Sequence, residues 1–171
     1  NELYFTAAGQ DVGTELYRSD GTACGTQLVT DFMPYGSSSP GAKVVLNGKL
    51  LFEATGPVFG WELYSTTGSE IDLVKDVNTT AAGANFARSY FNQMRFQTSV
   101  ELGGKLYFRA DDMVSGVGSE LWVTDGTPVG TKLLKDIVPG GTILAPERCT
   151  VFQGKVYFVG GNGLWCTDGT K

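Results

Sequence analysis

Apolar residues along this chain fall in short runs separated by glycine-rich and polar stretches, and no segment carries a sustained apolar stripe at helical spacing. The runs recur in a fixed order. Gly104-Lys105-Leu106-Tyr107-Phe108 leads to Glu120-Leu121-Trp122-Val123-Thr124-Asp125-Gly126-Thr127, then to Gly130-Thr131-Lys132-Leu133-Leu134-Lys135-Asp136-Ile137. An earlier copy reads Leu3-Tyr4-Phe5, Glu15-Leu16-Tyr17-Arg18-Ser19-Asp20-Gly21-Thr22 and Gly25-Thr26-Gln27-Leu28-Val29-Thr30-Asp31-Phe32. A later one reads Gly154-Lys155-Val156-Tyr157-Phe158 and Leu164-Trp165-Cys166-Thr167-Asp168-Gly169-Thr170. A degenerate copy lies between, with Gly48-Lys49-Leu50-Leu51-Phe52, Glu62-Leu63-Tyr64 and Leu73-Val74-Lys75-Asp76-Val77, and with Thr66-Thr67-Gly68-Ser69 at the turn. The recurring leucine falls at 16, 63, 121 and 164, so the strand scaffold is constant and the loops vary in length.

Each copy resolves into four short strands. The first is predicted over Ala42–Leu46, Phe96–Leu102 and Arg148–Phe152; the second is the Lys-Leu-Tyr-Phe run, the third Glu-Leu-Trp-Val, the fourth Lys-Leu-Leu-Lys-Asp-Ile. Asn47-Gly48, Gly103-Gly104 and Gln153-Gly154 are two-residue hairpin signals between the first two strands. The Asp-Gly-Thr turn joins the last two, with Asp able to cap the backbone two residues on. Repeats are predicted at about 1–40, 41–95, 96–145 and 146–171, forming one segment of an all-β fold. Four antiparallel strands every 40–60 residues or so is the anatomy of a β-propeller blade. Copy one lacks its first strand and copy four its last. Those gaps do not fill each other, so these residues alone are not expected to close a ring. The opening residues already read as strand and the closing ones stop inside the motif, as expected of an excerpt or processed piece of a longer chain.

The string at 120–137 resembles the repeat of large secreted and surface proteins of bacteria and some algae, over nearly the whole chain. The resemblance implies a β-propeller and an extracellular setting, and no particular chemistry.

Composition narrows the function classes. Apolar residues at 42% and charged residues at 18% fit a folded chain, and 24 glycines fit many tight turns. A net charge of −5 argues against nucleic acid and anionic membrane as partners. With no histidine, the commonest general base and most transition-metal sites are missing. Glu15, Glu62 and Glu120 recur at one repeat position and read as structural fixtures, expected to pair with Lys or Arg on the adjacent strand. Asp20-Gly21, Asp125-Gly126 and Asp168-Gly169 read as structural turns, and Asp31, Asp76 and Asp136 close the fourth strand. Tyr17, Tyr64, Trp122 and Trp165 are expected to pack between neighbouring repeats.

Other candidates are weaker in pattern. Cys24, Cys149 and Cys166 fit no zinc spacing and read either as small, partly buried thiols or as disulfide partners. Cys149 and Cys166 would lie on strands one apart, too far for easy bridging. No resident cofactor is expected; the hard oxygens near Asp111 and Asp112 would suit Ca²⁺, and Gln10-Asp11-Val12-Gly13 is the counterpart loop. Asn78-Thr79-Thr80 is the only N-glycosylation sequon, and Ser37-Ser38-Ser39-Pro40 could carry O-linked sugars. These features describe a non-enzymatic extracellular or cell-surface module, part of a fibre or appendage, with protein partners or self-assembly and no membrane insertion. A carbohydrate-binding propeller that uses Tyr90 and Phe91 in the irregular loop is the alternative, with glycans as partners. A carboxylate-based glycan-active enzyme is the third reading.

Overall fold

The computed structural model describes residues 2–77, 95–111, 118–139 and 146–170. Every regular element among them is a β-strand, in four antiparallel sheets that follow chain order. The first sheet holds β1 (Leu3–Gly9), β2 (Gly13–Ser19) and β3 (Gln27–Leu28). The second holds β4 (Lys43–Leu46), β5 (Lys49–Gly56), β6 (Gly60–Thr66) and β7 (Ile71–Lys75). The third holds β8 (Arg95–Leu102), β9 (Lys105–Asp111), β10 (Ser119–Thr124) and β11 (Lys132–Leu133). The fourth holds β12 (Glu147–Phe152), β13 (Lys155–Gly160) and β14 (Gly163–Thr167). Within each sheet, sequence neighbours are spatial neighbours. Among the described residues, the first sheet has no strand equivalent to β4, and the fourth none equivalent to β7.

Local chemistry explains these pairings. At the turn after β4, Asn47 and Gly48 take φ of 50° and 78°; Gly103-Gly104 and Gln153-Gly154 do likewise. Two central residues with positive φ make the type I′ turn, whose twist matches that of the strands it joins. The fourth strands are shorter than the sequence predicts: β3 and β11 span two residues each. One further bond, from the Leu134 N–H to the Leu121 carbonyl at 3.0 Å, continues the third ladder before the chain turns away.

The core consists of three interfaces between successive sheets. Leu50, Phe52, Ala54 and Tyr64 of the second sheet pack on Leu16, with Tyr4, Val29 and Phe32 around them. The opposite face of that sheet, with Leu46, Leu51, Leu63 and Val74, packs on Leu106, Phe108, Ala110 and Trp122 of the third. The far face of the third, with Tyr107, Leu121, Val123 and Leu134, packs on Val156 and Phe158 of the fourth. Period-two alternation along each strand thus divides every repeat into a set facing the preceding sheet and a set facing the next. Both sets are apolar because both faces are covered.

Contacts at the turns repeat with the same period. The residue before the second-strand aromatic reaches over the turn glycine of the following repeat: Leu51 lies beside Gly126, and Tyr107 beside Gly169, where a Cβ would come within 2.3 Å of the Tyr107 hydroxyl. Asn47 adds a tie between sheets, its Nδ2 donating to the Gly104 carbonyl at 2.9 Å and the Asp125 carbonyl at 3.1 Å.

Candidate functional site

The Asp-Gly-Thr turns form one hydrogen-bonded device. In the third repeat, Asp125 Oδ1 accepts from the Thr127 N–H at 2.9 Å and its hydroxyl at 2.6 Å. Thr127 Oγ1 in turn accepts from the Gly130 N–H at 3.0 Å, and the Thr131 hydroxyl donates to the Thr127 carbonyl at 2.7 Å. Asp20 and Asp168 make the same contacts with Thr22 and Thr170. The threonine hydroxyls, with their backbone amides, hold all three carboxyls below their ordinary range. In the degenerate repeat the Gly68 N–H donates to Thr66 Oγ1 at 2.9 Å, as the Gly126 N–H does to Thr124 Oγ1 at 2.9 Å in the third.

Gly130 is part of this device. A Cβ there would fall 1.9 Å from Asp125 Oδ1, so any side chain must displace the capping carboxylate. Gly130→Ala and Asp125→Ala are therefore expected to cost about 1–2 kcal/mol each in urea unfolding, with the double variant costing little more than either alone. Full additivity would mean that glycine and carboxylate act separately.

The recurring glutamates have a different role from the one their pattern predicts. Glu15, Glu62 and Glu120 are all buried, at 0%, 1% and 0% exposure. Each accepts a hydrogen bond from the main chain of the segment after the fourth strand. The Ser38 N–H donates to Glu15 Oε1 at 2.8 Å, and the Ser38 hydroxyl makes a short bond to Oε2. The Val77 N–H donates to Glu62 Oε2 at 2.7 Å, and the Val138 N–H to Glu120 Oε1 at 3.4 Å. A buried carboxylate thus pins the segment that leaves each of the first three repeats. Burial pushes the Glu120 carboxyl up to about 7, opposed by the Val138 and Ile137 amides and assisted by Asp136. Glu120 Oε2 and Asp136 Oδ1 are buried without hydrogen-bond partners. Within the Ser37–Pro40 stretch, Ser38 is 1% exposed and bound to Glu15, whereas Ser37 is exposed.

The aromatic positions separate by place in the stack. Tyr64 packs between the first two sheets, edge-on to Phe32 at 4.8 Å, and Trp122 packs between the second and third. Tyr17 stacks on Phe5 at 5.8 Å on the uncovered side of the first sheet. Trp165 donates its indole N–H to the Gly160 carbonyl at 3.1 Å yet is 40% exposed, against 7% for Trp122.

The two outer faces of the stack carry the strongest anomaly. Leu16, Leu63 and Leu121 are each 0% exposed, whereas Leu164 at the same repeat position is 72% exposed. Phe152, which corresponds to the buried Leu46, is 59% exposed and lies beside Tyr157, with ring centroids 6.2 Å apart. At the opposite end Leu3 is 64% exposed, while its equivalents Leu50, Leu106 and Val156 are 7%, 1% and 0% exposed. Sequence reasoning passed over Leu3, Phe152 and Leu164, although their place in the outermost repeats is the signal that marks them.

The three cysteines are free thiols, Cys24 and Cys166 exposed and Cys149 half-buried. Cys149 in β12 and Cys166 in β14 are separated by β13. Burial pushes the Cys149 thiol up to about 11. Asn78, Tyr90, Phe91 and Asp112, with the Asp111 side chain, lie outside the described residues. No group of three or more acidic or cysteine side chains suited to a metal occurs among the described residues, and no helix there is long and apolar enough to cross a membrane. No protein-family model matches the chain, and comparison with curated proteins finds no match.

Proposed function

We propose that the chain is a run of β-propeller blades serving as a non-enzymatic structural and interaction module outside the cell. Its outer faces would be sites of assembly with further sheets of the same kind. The observation that carries this reading is the contrast at one repeat position: Leu164 is 72% exposed where Leu16, Leu63 and Leu121 are each 0% exposed. An apolar face with the residue pattern of a buried interface is suited to cover by a further sheet, of the same polypeptide or of another. The binding chemistry is apolar burial between sheets, and the turns and glutamates keep those sheets in shape. The lack of histidine and the structural engagement of the recurring carboxylates support a role without a reaction. The secreted setting rests on the motif resemblance, the acidic balance and the Asn78 sequon.

Contact between the leading face of one molecule and the trailing face of another is heterologous, and such contacts build rings or filaments. Sedimentation of the wild type should show concentration-dependent association, lost in Leu3→Lys and lost in Leu164→Lys. Mixing those two variants should restore a one-to-one complex, because each keeps the face that the other lacks. A monodisperse monomer at every concentration, indifferent to both substitutions, would overturn the assembly reading. Native material recovered from the cytosol would overturn the extracellular one.

A further inference from the structure

We infer that Asn47 is a deamidation site, and that its conversion to aspartate or isoaspartate severs a side-chain tie between the second and third sheets. Asn47 and Gly48 form the two-residue turn between β4 and β5, and both are exposed. Deamidation requires the main-chain nitrogen of the following residue to reach the asparagine Cγ. Glycine in that place obstructs the approach least, because it has no Cβ. The Gly48 nitrogen also lies outside the ladder, whose last pair at this turn is Leu46 with Lys49.

The reaction needs only water. The Gly48 nitrogen gives up its proton to solvent base and attacks Asn47 Cγ. A C–N bond forms, the Cγ–Nδ2 bond breaks, and Nδ2 takes up a proton and leaves as ammonia. Water then opens the succinimide. Cleavage at one carbonyl gives aspartate, and cleavage at the other gives isoaspartate, whose main chain runs through the former side-chain carbon. Nothing is oxidised or reduced, and the lost ammonia does not return, so the change is one-way.

The site matters because of what the amide holds. Asn47 Nδ2 donates to the Gly104 carbonyl at 2.9 Å and the Asp125 carbonyl at 3.1 Å, in two different turns of the third repeat. A carboxylate has no proton to donate, so it would set its own acceptors against both carbonyl oxygens. Isoaspartate adds a carbon to the main chain of a turn that depends on consecutive φ values of 50° and 78°. The tie borders the interface in which Leu46, Leu51 and Leu63 pack on Leu106 and Phe108. The equivalent residue of the third repeat is Gly103, which has no side chain to make such a tie.

Incubation of the full chain in mild alkali, folded and in urea, tests the site, with peptide mapping by mass spectrometry as the readout. Asn47 should convert in both, more slowly when folded because two carbonyls must first release the amide. The consequence is read by thiol labelling of a cysteine-free chain with a single cysteine at Leu51, a position 0% exposed in that interface. Asn47→Asp should speed this labelling about tenfold, as the loss of two hydrogen bonds implies. Asn162→Asp places the same charge in the exposed turn between β13 and β14 and should leave labelling unchanged. The urea midpoint, lowered by Asn47→Asp and unmoved by Asn162→Asp, gives the same answer without a core cysteine. A folded chain that stays amidated at 47 while the chain in urea converts fully would overturn the site. Equal labelling and equal midpoints with Asn or Asp at 47 would overturn its effect on the sheets. Both readouts are taken on dilute protein and depend neither on the outer faces nor on an extracellular setting.

Discussion

Leu121→Ala is expected to destabilise the fold by about 2–5 kcal/mol, whereas Leu164→Ala, at the same repeat position, should cost less than about 0.5 kcal/mol. The repeat sequence around the two leucines is nearly identical; their surroundings differ. Leu121 is 0% exposed and packs with Tyr107, Val123, Leu134, Val156 and Phe158 across two sheets. Removing its side chain leaves a cavity that close-packed neighbours fill only in part. Leu164, at 72% exposure, has little to lose. Urea unfolding of dilute protein, where association does not contribute, checks both values. Similar costs for the two variants would mean that the third sheet does not bury its far face as described.

The second large effect depends on pH. The Glu120 carboxyl titrates near 7 in the folded protein, above its ordinary value of 4.5, because it is buried with one oxygen unpartnered. Below the ordinary value the group is protonated whether the chain is folded or not, and it carries no penalty. As pH rises toward 7, the unfolded chain ionises freely while the folded one resists, so stability falls across that window and then levels off. The loss is on the order of 2–3 kcal/mol. Glu120→Gln should flatten this slope and be more stable than the wild type at pH 8, with no such advantage at pH 4. Because Gln keeps an acceptor for the Val138 amide, the variant isolates the charge. A wild-type slope unchanged by the substitution would move the titration elsewhere.

The turn aspartates work in the opposite sense and lower on the scale. Threonine hydroxyls and amides depress the carboxyls of Asp20, Asp125 and Asp168 below their ordinary value. Their contribution is complete above that value and is lost as pH falls through the depressed one. Acid unfolding below about pH 4 should therefore weaken in Asp125→Ala, a change readable by circular dichroism.

Much of the architecture was legible because its determinants are local. Asn47-Gly48 and Gly103-Gly104 announce their hairpins through backbone preference alone, and Asp125 caps a turn two residues away. The division into four repeats followed from the recurring leucine, whose spacing survives loops of different length. The partners of the glutamates were not legible. They are main-chain amides at Ser38, Val77 and Val138, which leave no residue-type signature and sit in the variable loops. The burial of Ser38 was hidden for the same reason. Nor does the motif distinguish Leu121 from Leu164, since exposure is decided by the next sheet and not by the residue's own strand. The short β3 and β11 likewise reflect a chain leaving early, with the segment after β11 running to the buried Glu120.

At each of the three interfaces between successive sheets, the trailing face of one sheet is hidden against the leading face of the next. Thiol labelling of a cysteine-free chain, with a single cysteine placed in turn at Leu16, Leu63, Leu121 and Leu164, measures this directly. The first three sites should react at least a hundredfold more slowly than the fourth, as expected if exposing them requires opening that costs about 3 kcal/mol. Comparable labelling at all four sites, or protection at Leu164 equal to that at Leu121, would contradict it.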